Sequence, residues 1–225
     1  MNIQNLNQLK SFYRNPETPG SFFLSLEGIE GSGKSTQIKE VENFVKDKGY
    51  RVLCLREPGG TVFGEKLREA ILQSATPLHP LAECHLFLAS RAQLLKEKIL
   101  PFLLEPKSVV ILDRYIDSTL AYQGSARRLS YETVLELHKH DPLNLLPHRT
   151  YFLEIDLETS MSRQAARGNA KDYFESENAE FYSRLVNGYS DMATLFHERI
   201  LRVDAKNDIA AVTKLILTDL EQVIS

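Results

Sequence analysis

Cysteine is scarce in this chain of 225 residues: Cys54 and Cys84 are the only two, with no CxxC spacing and no neighbouring His pair. That excludes a disulfide framework, a zinc ribbon and a thioredoxin motif, and it fits a reducing compartment. Long apolar runs are missing as well. None approaches the roughly 18 residues that a membrane-spanning helix needs. The stretch Met1 to Gly20 is rich in Asn and Gln and has no apolar centre, so no secretory leader and a cytoplasmic location are expected. A surplus of positive charge is also lacking. The 27 Lys and Arg stand against 30 Asp and Glu, a net charge of −3, whereas a general nucleic-acid binder needs excess cations to replace phosphate counterions. His138 and His140 lie two apart on a helical pattern and face different ways, a poor metal pair.

What remains is enough for one ordinary domain. With 43% hydrophobic residues, a chain of this length buries most of its apolar surface without a staple. Residues 1–20, closed by Pro16, Pro19 and Gly20, are expected to form a poorly ordered extension that is dispensable for turnover. Residues 21–225 are expected to form a single domain. Short apolar runs at Phe22–Leu26, Arg51–Leu55, Val109–Leu112, Tyr151–Ile155 and Ile200–Val203 read as strands. Between them, helical patterns cover Lys34–Lys48, Leu81–Leu104, Ser130–Lys139, Leu157–Ala166, Glu175–Glu198 and Ile209–Val223, with Pro101 marking a kink or stop. Strands alternating with helices, several of them wholly apolar, predict an α/β fold: a three-layer parallel sheet covered on both faces.

The strongest motif is Gly28-Ile29-Glu30-Gly31-Ser32-Gly33-Lys34-Ser35, a complete G-x-x-x-x-G-K-[ST], with Thr36 following. Its glycines let successive N–H groups turn toward phosphate oxygens, Lys34 reaches the β- and γ-phosphates, and the Ser35 hydroxyl can ligate Mg²⁺. An apolar strand precedes the loop and a helix follows, as that mechanism requires. Asp113, ending the run Val109–Leu112, is the expected acidic partner of Mg²⁺. The loop alone does not settle function. No N-K-x-D is present, so a GTPase is not expected.

Three further segments narrow the choice: Arg56-Glu57-Pro58-Gly59-Gly60-Thr61, the pair Phe87 and Arg91 four apart on a helix, and Asp113-Arg114-Tyr115-Ile116-Asp117-Ser118-Thr119-Leu120-Ala121-Tyr122-Gln123-Gly124. Together with Gly28–Thr36 they closely resemble the thymidylate kinase family, from about residue 22 to the C-terminus. The resemblance implies a P-loop nucleoside-monophosphate-kinase fold, transfer of the ATP γ-phosphoryl group to dTMP, and a homodimer packed through helices. It implies that Arg56 and Arg114 grip the acceptor phosphate, Phe87 stacks on thymine and Arg91 bonds the base edge. Ser118, Thr119 and Gln123 lie around the base, Tyr122 against the sugar, and Glu30 near the sugar 3′-hydroxyl and the metal. Each has a plainer reading: Phe87 as core packing, Arg91 as a solvated residue or ion pair, Glu57 as a loop cap, Tyr115 as packing, and Arg127 with Arg128 as a surface pair.

The family resemblance implies that the charge offsetting the transferring phosphoryl group comes either from the phosphate loop or from a lid; Ile29 to Ser32 hold no cation, so it is expected from a lid at about residues 163–175. Arg163 and Arg167 lie four apart there, with Lys171 beyond. Many bacterial relatives read Asp-Arg-(Ile/Phe)-Glu at the lid's end, where this chain has Asp172-Tyr173-Phe174-Glu175. Lys34, Arg114, Arg163 and Arg167 are the expected catalytic residues. Two other readings stay open: a kinase of another monophosphate or deoxynucleoside, and a nucleotide-binding P-loop protein with impaired catalysis.

Overall fold

A computed structural model describes residues 3–167, 173–174 and 177–224. In chain order the elements are α1 (Ile3–Lys10), β1 (Phe22–Glu27), α2 (Lys34–Asp47), β2 (Arg51–Arg56), α3 (Val62–Leu72), α4 (Pro80–Leu94), α5 (Leu100–Leu103) and β3 (Ser108–Asp113). Then follow α6 (Ile116–Thr119), α7 (Tyr131–His138), β4 (Arg149–Glu154), α8 (Leu157–Arg167), α9 (Ala179–Leu195), β5 (Ile200–Asp204) and α10 (Ile209–Val223). Two π-helical stretches, Leu95–Ile99 and Leu120–Ala126, join α4 to α5 and extend α6.

All five strands run parallel in the order β2-β3-β1-β4-β5. The inner strands explain the apolar runs: β1, β3 and β4 are buried along nearly their whole length because helices cover both sheet faces. The edge strand β2 is only partly covered, and the other edge strand, β5, buries Ile200 and Val203 while Arg202 and Asp204 are exposed. From β1 the chain crosses to β2 on one side, and from β3 it crosses to β4 on the other, so a crevice opens at the C-terminal ends of β1 and β3. Parallel sheets bind ligands at such a point.

The α/β expectation holds, and several boundaries shift. The long helix expected over Leu81–Leu104 is interrupted by the π turn just before Pro101. Proline has no N–H to give and crowds the preceding turn, and the wider turn accommodates both facts. The helix expected from Glu175 starts instead at Ala179, where the Asn178 side chain accepts the Phe181 N–H as a cap. Helix α3 lies in a stretch for which the hydrophobic pattern predicts no helix. Its signals were Thr61, which caps the Gly64 N–H, and Glu65 in the first turn.

Within the segment expected to be poorly ordered, residues 3–20 pack against the domain. Leu6 and Leu9 of α1 are buried in the main core, and the Tyr13 hydroxyl donates to the Leu135 carbonyl of α7 at 2.9 Å. Arg14 bridges to Leu145, and Asn15 donates to the Leu146 and Pro147 carbonyls. Apolar positions spaced three apart in an otherwise polar segment are enough to dock one turn of helix.

Candidate active site

The loop between β1 and α2 is shaped by its glycines. Gly28 sits at φ 139°, and a Cβ there would lie 2.6 Å from the Leu153 carbonyl oxygen, a distance no side chain tolerates. Gly33 takes the left-handed conformation at φ 97° and starts α2, so the first free N–H groups of that helix face the crevice. Lys34 is folded over the loop, its Nζ donating to the Gly28 carbonyl at 3.1 Å and the Ile29 carbonyl at 3.2 Å. Burial, with the Arg114 charge beside it, pushes the Lys34 ammonium down to about 8. An anion above the loop would relieve both effects.

Glu30, Gly31, Gly33, Lys34, Ser35, Arg56, Asp113 and Arg114 line one cleft of about 550 Å³. Asp113 Oδ1 is buried there without a hydrogen-bond partner among the described residues. An orphaned carboxylate oxygen sharing a cleft with the Ser35 hydroxyl is a hard oxygen donor set, which suits Mg²⁺. Among the described residues no three His, Cys, Asp or Glu side chains gather into a cage of their own. The set fits a metal that takes most of its remaining ligands from phosphate and water.

A second cleft, of about 730 Å³, shares Glu30, Glu57, Arg68 and Arg114 with the first. Its walls include Phe87, Tyr122, Phe174 and Tyr182, and its floor Arg91, Ser118, Thr119 and Gln123. Phe174 stands with its ring centroid 6.2 Å from Phe87 and 5.2 Å, edge-on, from Tyr122. The two clefts therefore join an anion cradle to an aromatic-walled chamber.

Arg114 stands at the junction in a strained left-handed conformation, φ 70°. Its N–H is held by the Leu26 carbonyl and that of Tyr115 by Glu27 Oε1 at 2.7 Å. Its guanidinium donates to the Gly28 carbonyl and the Tyr189 hydroxyl, both at 2.9 Å, and Glu30 lies 3.8 Å away. Glu27 Oε2 accepts from Ser118 Oγ at 2.6 Å, and Ser118 in turn meets Tyr189 at 2.8 Å. Burial first, and the Asp117 carboxylate second, push the Glu27 carboxyl up to about 8.

Arg91 is almost wholly enclosed, yet it reaches the chamber floor. Its Nε and NH2 donate to Glu57 Oε2 at 2.7 and 2.5 Å, and its NH1 reaches Thr119 Oγ1 at 2.9 Å and His138 Nε2 at 2.7 Å. The Tyr115 ring underlies it, 4.8 Å from centroid to Cζ. Gln123 is braced by the buried Glu83 at 2.7 Å, and Glu83 also receives Arg127.

The expected residues thus converge with few exceptions. Arg56 lies on the rim, paired with Glu65 at 3.2 Å. Thr36 is exposed at the start of α2 and lines neither cleft. Arg163 donates to the Gly31 and Ala205 carbonyls, so it braces the phosphate loop from behind. The side chain of Arg167, and Lys171, Asp172 and Glu175 altogether, lie outside the described residues. The plain reading of Arg127 as part of a surface pair is corrected. It is largely enclosed, bound to Glu83 and Glu177, with its guanidinium over Tyr173, Phe174 and Phe181. Tyr173 accepts the Leu78 N–H at the edge of the chamber. Glu57 does more than cap a loop, because it is the counter-ion of Arg91. Arg68, Phe174, Tyr182, Glu27 and His138 were not anticipated as site residues. Only the aromatic pair Tyr173-Phe174, out of place in a polar stretch, offered a sequence signal.

The thymidylate kinase family profile matches residues 26–216. Thymidylate kinase of Caldanaerobacter subterraneus subsp. tengcongensis is 40% identical over 200 residues, covering 89% of this chain and 95% of that protein. That of Alkalilimnicola ehrlichii is 40% identical over 204 residues, covering 90% and 92%. The crystal structure of thymidylate kinase from Ehrlichia chaffeensis superposes with a TM-score of 0.70 at 30% identity, covering 90% of this chain and 99% of that one. Agreement in sequence along most of the chain, and in fold with a solved relative, means that this chain belongs to the thymidylate kinase family.

Proposed function

We propose that this chain transfers the γ-phosphoryl group of ATP to dTMP, giving ADP and dTDP for dTTP synthesis. The observation that carries the reading is the meeting of the anion cradle and the aromatic chamber at Arg114 and Glu30. A monophosphate kinase must hold two anions in line, and this junction is where two phosphates would face one another.

The N–H groups of residues 28–35 and Lys34 hold the ATP phosphates. Ser35 and Asp113 would hold Mg²⁺, which when bound neutralises charge on the phosphate oxygens. Arg114 takes the acceptor phosphate, its backbone strain maintained by the Leu26 and Glu27 contacts. Arg56, at the rim, swings from Glu65 to join it. Phe87 and Phe174 flank the base, Arg91 and Gln123 meet its edge with Ser118 and Thr119 beneath, and Tyr122 lies against the sugar. Glu30 faces the sugar 3′-hydroxyl and the metal. Because Arg163 is engaged by two carbonyls, the cation for the transition state falls to Arg167, with Lys171 beyond it. A homodimer packed through helices, which rests on the family resemblance, and a cytoplasmic location, which rests on the scarce cysteines and the composition of the first residues, complete the proposal.

The test is coupled ADP release with dTMP, dUMP, dCMP and thymidine as acceptors. The expected result is dTMP-dependent turnover with dTMP best by kcat/KM. A better acceptor among the other three, or ADP release indifferent to dTMP, would overturn the proposal.

A further inference from the structure

His138 ends α7, is fully buried, and touches neither cleft. Its Nδ1–H donates to the Val134 carbonyl at 2.7 Å, which leaves Nε2 as a bare acceptor, and that acceptor meets Arg91 NH1 at 2.7 Å. Burial and the Arg91 charge push the imidazole down to about 3, so it stays neutral and keeps this role throughout the neutral range.

A guanidinium has five N–H groups in a fixed fork. For Arg91, Nε–H and one NH2 proton go to Glu57, and the two NH1 protons go to Thr119 and His138. One NH2 proton remains without a partner among the described residues, and the residue carrying it lines the chamber floor. A lone N–H can only donate. It matches a base that presents a carbonyl at that edge, and it opposes one that presents an amino group. The direction of this proton depends on both ends of the fork being held, and His138 holds the end away from Glu57.

We infer that His138 is a positioning residue for base selection, its Nε2 orienting Arg91 so that one donor faces the pyrimidine edge and favours a 4-carbonyl over a 4-amino base. The inference rests on the proposed placement of the base against Arg91. Val134 and Leu135, both buried, fix α7 to the core, and Tyr13 ties it to the N-terminal segment, so the imidazole is delivered from a rigid support.

The test compares kcat and KM for dTMP and dCMP in the parent, His138→Phe, His138→Gln and Arg91→Ala proteins, with melting temperatures for each. Phe keeps a ring and removes the acceptor; Gln supplies an acceptor oxygen at similar reach. His138→Phe is expected to raise KM for dTMP about tenfold with kcat within about threefold, the scale of one good hydrogen bond. The dTMP over dCMP preference should fall about tenfold as well, and His138→Gln should restore most of it. Unchanged preference in His138→Phe, whether or not its melting temperature drops, refutes the inference, as does a His138→Gln protein no more selective than the Phe one. Arg91→Ala separates the two readings. If it leaves the preference intact, the placement of the base is wrong; if it abolishes the preference while His138→Phe does not, only the role of His138 fails.

Discussion

Glu27 shows how one side chain can organise a site without lining it. Its Oε1 fixes the Tyr115 N–H beside the strained Arg114, and its Oε2 fixes Ser118, which together with Tyr189 borders the Arg114 guanidinium. That arrangement places a carboxyl in a fully buried position near Asp117, which raises it from 4.5 to about 8. A raised carboxyl means that the folded state keeps a proton the unfolded chain has already released between those two values. Its contribution to stability is therefore complete below 4.5 and is lost as pH climbs through about 8. Glu27→Gln removes that titration. The melting temperature of the variant relative to the parent should thus rise steadily from about pH 5 to about pH 9 in thermal melts. A difference that stays flat, or that falls with pH, would mean Glu27 is ionised throughout.

At the scale of elements, the Leu120–Ala126 π stretch packs against α9 with almost no clearance. Gly188 faces it, and a Cβ added there would come 2.7 Å from Ser125 Cβ and 3.0 Å from the Ala121 Cα. Backbone cannot retreat as a flexible side chain would. Ala ordinarily stabilises a helix by about 1 kcal/mol over Gly, while overpacking costs about 1–3 kcal/mol. We expect overpacking to win, so that Gly188→Ala lowers the melting temperature by about 2–4 °C per kcal/mol lost for a chain of this size. Calorimetry showing an equal or higher melting temperature would mean that the two helices part freely. The same contact shapes the chamber, since Tyr122 and Gln123 leave this wide-turned segment and Ser118 the turn of α6 before it, while Tyr189 comes from α9. Which side chains a π turn points inward is not readable from a period of 3.6.

For the molecule as a whole, the N-terminal segment is part of the fold. Burial of Leu6 and Leu9 is worth about 1.5–3 kcal/mol each as an upper estimate, before the Tyr13 and Asn15 hydrogen bonds are added. Deleting residues 2–18 should then lower the melting temperature markedly, and it should weaken dTMP binding through α7 and His138 more than it lowers kcat. Parent-like stability and KM in the truncated protein would return the segment to the dispensable extension expected from its composition. Proline and polar residues dominate the composition of this segment, while its burial turns on two leucines three residues apart in a helix that packs on α7, more than a hundred residues onward.

The amino-acid order by itself determined what depends on neighbours in the chain. The phosphate loop is eight consecutive residues whose glycines, lysine and hydroxyl are legible in order, and the mainly apolar runs of β1 and β3, alternating with helical patterns, point to strands buried on both faces. The fold class and the anion site followed from these alone. Tertiary structure decided every partnership that spans the chain: Glu57 with Arg91 across 34 residues, His138 with Arg91 across 47, Glu27 with Ser118 across 91. A buried carboxylate or imidazole has no local signature, because its charge state and its use depend on which groups the sheet and helices bring within about 3 Å. Those distances exist only once the chain has closed on itself, and they turn Arg91 from one more helix residue into a directed donor.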